Sequence, residues 1–91
     1  MGRYEIVVLV SGTPGIEGPY VIEFEYEMSM FDGCVVFEHS TPAEELGVQM
    51  LVIASDQWEA MDMAERRVQK ALRRLALSNC RTKIVYRQRI T

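Results

Sequence analysis

The run Tyr4-Glu5-Ile6-Val7-Val8-Leu9-Val10 constrains the fold more than any other stretch. Apolar, mostly β-branched side chains occupy both of its alternating faces, so a strand built from it belongs inside a sheet. A second run of this kind, Val48 to Ala54, sets Val48, Met50 and Val52 on one side and Leu51 and Ile53 on the other. Any sheet holding both runs has two faces to cover. The chain has 91 residues, which suffices for one packing unit, so a single domain over 1–91 is expected. A hydrophobic content of 48% excludes disorder. No apolar run reaches the roughly 18 residues that a membrane span needs.

The remaining elements follow from local pattern. Ser11 to Pro19 is rich in Gly and Pro and predicts a long hairpin loop. From Tyr20 to Ser29 the residues alternate, with Ile22, Phe24, Tyr26 and Met28 on one side and Glu23, Glu25 and Glu27 on the other, which predicts a half-buried strand. Asp32-Gly33 marks a turn, and Cys34 to His39 a third strand. Thr41-Pro42-Ala43-Glu44 has the order of an N-cap, a first-turn Pro and an acid, which predicts one helical turn over Pro42 to Leu46 closed by Gly47. Asp56 with Glu59 three residues later opens a long helix running to Ser78, with Asn79 as a left-handed cap. At 100° per residue, Trp58, Met61, Ala64, Val68, Ala71, Leu72 and Leu75 form its apolar stripe, and Trp58 and Leu75 are the expected core anchors. Arg81 to Ile90 reads as a fifth strand with Ile84 and Tyr86 inward. The expected fold is α+β, a mostly antiparallel five-stranded sheet in the order β-β-β-β-α-β with one long helix on one face.

Charge is strongly partitioned. Residues 1–65 hold all 13 acids and a single base, Arg3, whereas residues 66–91 hold the other nine of ten bases and no acid. On the helical wheel Arg66, Arg67, Lys70, Arg73 and Arg74 cluster opposite the apolar stripe and form a candidate partner-binding face. Nucleic-acid phosphates reward such a stripe, but the net charge is −3 and no aromatic residues are interleaved to stack bases. Binding to DNA or RNA at physiological salt is therefore expected to be weak, and the face is read either as an ordinary solvated one or as a surface for an acidic protein.

Catalytic patterns are thin. His39 is the single histidine, and its neighbour Glu38 points to the opposite side of a strand. Gly12, Gly15 and Gly18 precede a predicted strand, whereas a phosphate loop needs a helix N-terminus. Carboxylates on alternate strand positions lie about 7 Å apart, too far for a compact cation cage. Cys34 and Cys80 match no redox or zinc spacing and are expected as free thiols. The expectation is a protein that is not an enzyme and uses no metal or cofactor. With no secretory signal visible at the amino terminus, a cytoplasmic address is the default. One helix covers one sheet face, leaving Val7, Leu9, Leu51 and Ile53, joined by Val36, as a self-association patch that a dimer would bury. Two alternatives stay open: a nucleic-acid-associated regulator using the basic helix, and a small-molecule binder with a pocket between helix and sheet around Trp58, Tyr26 and Tyr86.

Overall fold

The computed structural model describes residues 1–11, 19–31, 33–39, 45–77 and 80–91. Strand β1 covers Gly2–Ser11, helix α1 Pro19–Met28, strand β2 Val35–His39, strand β3 Glu45–Ala54, helix α2 Gln57–Arg74 and strand β4 Arg81–Arg89. The sheet order is β2-β3-β1-β4, antiparallel at every pairing. Because β1 and β2 both run against β3, they are parallel to each other and need a crossover, which α1 supplies. Strands β3 and β4 flank β1 in the same way and are joined by α2. Two interlocked β-α-β units result, the split β-α-β topology of ferredoxin-like domains.

The α+β class and the antiparallel sheet agree with the pattern in the sequence, but there are four strands and two helices. Tyr20 to Ser29 is the segment that differs. Its period of two suits a strand, yet Phe24 and Met28 are also four apart, one helical turn, and α1 buries both, the buried pair among its described side chains. Ile22 and Tyr26 stay exposed. Helix α1 begins at Pro19, where a missing N–H is harmless, and the expected hairpin loop falls on residues 12–18, outside the described part. The expected helical turn over Pro42 to Leu46 is also corrected: Glu45 and Leu46 open β3, while residues 40–44 lie outside the described part. Gly47 is no helix stop. It lies inside β3 beneath the Phe37 ring, which occupies the space a side chain there would fill.

The core lies between the sheet and the two helices. Tyr4, Ile6, Val8 and Val10 of β1 pair with Val52, Met50, Val48 and Leu46 of β3, and all eight are buried. Against them α2 lays Ala60, Ala64, Val68, Ala71 and Leu72, whose small members let the helix approach closely. The Asp56 side chain caps α2 by accepting from the Glu59 N–H at 2.8 Å, while the Glu59 carboxylate accepts from the Ser55 N–H at 3.1 Å. The helix ends at Arg74, short of Ser78. Leu77 N–H donates to Leu72 C=O at 2.8 Å and Ala76 N–H to Arg73 C=O at 3.1 Å, a Schellman closure with Ala76 left-handed at φ 58°. The expected cap at Asn79 falls on residues outside the described part.

Candidate functional site

Both helices pack on one side of the sheet, and among the described residues no helix covers the other. Cross-strand rows read directly from the register: Val35, Gln49, Val7 and Tyr86 form one, and Phe37, Gly47, Leu9 and Lys83 the next. Leu51 and Glu5 continue toward Gln88, and Ile53 faces Arg3. Val35 and Ile53 are 55% and 61% exposed, Phe37 and Tyr86 are exposed to a lesser degree, and Val7, Leu9 and Leu51 are half-buried. The result is an apolar surface reaching all four strands. Its polar members are partly satisfied within the face: the Gln49 amide donates to Glu5, and the Tyr86 hydroxyl to Gln88.

Val7, Leu9, Leu51 and Ile53 sit on this open face. Val36 does not: it pairs with Val48 and packs against the core, so its neighbours Val35 and Phe37 take the outer positions. One register step reverses every side chain of a strand, and the pairing partner that sets the register is β3. Tyr86 is likewise corrected. The pairing of β1 with β4 shifts between Val7 and Val8, where Tyr86 and Ile84 face successive β1 residues and Val85 is the extra residue of a bulge. Ile84 therefore packs on the core, Tyr86 faces outward, and Arg87 and Arg89 come to the helix side.

The basic helical face is divided. The Arg66 guanidinium pairs with Asp62 at 3.0 Å, Arg74 with Glu27 of α1 at 3.3 Å, and Arg67 lies 4.8 Å from the centre of the Phe31 ring. Three of the five cations thus have partners within the chain, and Lys70 and Arg73 point to solvent. Exposed pairs of this kind stabilise by about 1 kcal/mol or less, so they orient the side chains more than they hold the fold. Glu23 and Glu25, two apart on a helix, diverge and form no carboxylate ladder.

Trp58 is not a core anchor. It lies in the first turn of α2, 65% exposed, with the Arg87 guanidinium 5.9 Å from its ring centre. Leu75 is partly buried against the core. Tyr26 and Tyr86 are also exposed, so these three aromatics enclose no pocket. A cleft of about 220 Å³ lies instead between the end of α2 and the start of β4, lined by Gln69, Leu72, Arg73, Leu77 and Cys80. It is smaller than the roughly 300 to 1,000 Å³ of a typical ligand site.

Cys34 and Cys80 are not in a disulfide. Burial pushes the Cys34 thiol up to about 11, with Arg67 opposing the rise only in part, so at neutral pH it is protonated and a poor nucleophile. Among the described residues no group of three or more His, Cys, Asp or Glu is placed to hold a metal ion. His39 ends β2, its backbone opposite Glu45. No described helix is long and apolar enough to cross a membrane.

Compared with protein families, curated proteins and solved structures, the chain matches no family model, no curated protein and no solved structure.

Proposed function

We propose that this protein is a non-enzymatic interaction module whose working surface is the open sheet face, and that its partner there is a second copy of the chain. The observation that carries this reading is the set of outward apolar side chains contributed by every strand: Val35 and Phe37, Leu51 and Ile53, Val7 and Leu9, and Tyr86. Soluble monomers seldom leave such a patch in water. Four strands about 4.8 Å apart and up to about 30 Å long present roughly 500 to 600 Å². Two copies would then bury about 1,000 to 1,200 Å², the lower end of specific interfaces.

A nucleic-acid reading is weaker on this surface. Sheets that bind RNA stack bases on aromatic rings, and here the central strands β1 and β3 offer Glu5, Val7, Leu9, Gln49 and Leu51 outward, none of them aromatic.

Light scattering tests the reading. A dimer is expected at protein concentrations of about 100 μM, and Leu9→Glu with Leu51→Glu should give a monomer of unchanged circular dichroism. If that pair unfolds, Val35→Lys with Ile53→Lys probes the same face at more exposed positions. A monomeric unmodified protein at that concentration would overturn the proposal.

A further inference from the structure

The outer edge of β4 makes a second surface, of different character. This strand ends the sheet opposite β2 and presents nine residues of edge backbone, against five in β2. Every residue of β4 except Thr82 and Ile84 is exposed. Unpaired N–H and C=O groups along such an edge are a template for one more strand.

Charge decides which strand. Strand β4 carries Arg81, Lys83, Arg87 and Arg89 and no acid, so pairing it with its own copy would bring cations together with no carboxylate between them. That repulsion disfavours self-pairing. The same four cations attract carboxylates. Two of them are already held in place: Arg87 lies over Trp58 at 5.9 Å and Arg89 over Tyr4 at 6.0 Å. Side chains fixed by ring contacts lose less freedom when they meet a partner.

The bulge adds a spacing rule. Because Val85 is an extra residue, Arg81, Lys83, Arg87 and Arg89 face Ser11, Leu9, Ile6 and Tyr4 of β1, positions two, three and two residues apart. We propose that β4 carries this offset to its outer edge as well and binds there an extended acidic segment of another protein by antiparallel strand addition, with acids spaced two, three and two residues apart. This places the acidic-partner site on β4; on the helical face Arg66 and Arg74 already have carboxylate partners within the chain. Backbone pairing of this kind fits a peptide, whereas a nucleic acid has no complementary ladder of amides.

The proposal does not require dimerisation through the face, and Val35→Lys with Ile53→Lys, at positions that pair with no β4 residue, should leave it intact. The test is fluorescence anisotropy at about 50 mM salt with a labelled eight-residue peptide of Glu, Val and Thr carrying the four glutamates at that spacing. Two control peptides accompany it, one with the glutamates consecutive and one N-methylated at alternate amides. Binding should weaken about tenfold or more for either control, and by a similar factor for Lys83→Glu with Arg87→Glu. New amide protection confined to β4 should appear in hydrogen exchange with the matched peptide. Equal binding of the N-methylated peptide would refute strand addition, and equal binding of the consecutive-glutamate peptide would refute the register. Displacement of the peptide by a single-stranded oligonucleotide at equal concentration would assign the edge to nucleic acid instead. Should the charge-reversal variant misfold, the peptide controls on the unmodified protein still decide.

Discussion

Ala76 offers a direct check on the end of α2. Its φ of 58° makes it the one described non-glycine residue in the left-handed region, and it is held there by the paired bonds from Ala76 and Leu77 back to Arg73 and Leu72. A Cβ in that conformation costs about 1 to 2 kcal/mol. Glycine removes this cost but gains roughly 0.4 to 1 kcal/mol of freedom in the unfolded chain. Ala76 is exposed, so its methyl gives up little packing. The net expectation for Ala76→Gly is about 0.5 to 1 kcal/mol of added stability. With an unfolding entropy of about 2.1 cal/mol/K per residue, a chain of 91 residues should gain about 3 to 5 °C in Tm. Urea unfolding followed by circular dichroism measures it, with Ala76→Val as the opposing control, since a branched side chain fits this conformation worse than a methyl. A lower midpoint for Ala76→Gly, or no loss for Ala76→Val, would mean that the helix does not close at Leu72 to Leu77.

Two further substitutions separate the core from the surface of the same helix. Leu72→Ala should destabilise by about 2 to 5 kcal/mol because the side chain is buried, whereas Trp58→Ala should lose about 1 kcal/mol or less, the scale of one exposed cation–π contact; urea midpoints that reversed this order would put Trp58 in the core. For Cys34, iodoacetamide labelling at neutral pH should be slower than at a cysteine in the unfolded chain. The folded thiol keeps its proton up to about 11 while the unfolded one loses it near 9.0, so this group's contribution to stability should fall as pH rises across that window and stay constant below it. A Cys34→Ser variant with the same alkaline decline would assign the decline to other groups.

What could be read in advance depended on how many constraints each segment carried. The faces of β1 and β3 and the body of α2 were legible because their periodic runs are long and unbroken, and Asp56 with Glu59 marks where α2 starts. In α1 ten residues satisfy a period of two and a spacing of four together, and the choice falls to the crossover that β1 and β2 require. The bulge at Val85 leaves no residue signature, since neither Gly nor Pro marks it, yet it turns Tyr86 outward and moves Arg87 and Arg89 to the helix side. Val36 is a related case: its alternation with Val35 and Phe37 is plain in the sequence, but only pairing with β3 says which set faces the helices. The site residues that pattern alone missed, Val35 and Phe37, share this cause.

The charge partition along the chain acquires a structural meaning from the strand order. All acids precede residue 66, yet the acids outward on the central strands are few, and the last basic segment forms an edge, not a face. An edge of like charge blocks endless sheet extension between copies, which leaves the apolar face as the place where copies meet. The two proposed contacts then differ in their response to salt. Screening shortens the reach of exposed charges to about 8 Å near 0.15 M and to about 3 Å at 1 M, so peptide binding at β4 should weaken steadily over that range. Association through Leu9, Leu51 and their neighbours buries apolar surface and should hold or tighten as salt rises. A dimer that dissociated in parallel with peptide release would mean that the two surfaces are one, with Arg81 and Lys83 inside the interface between copies.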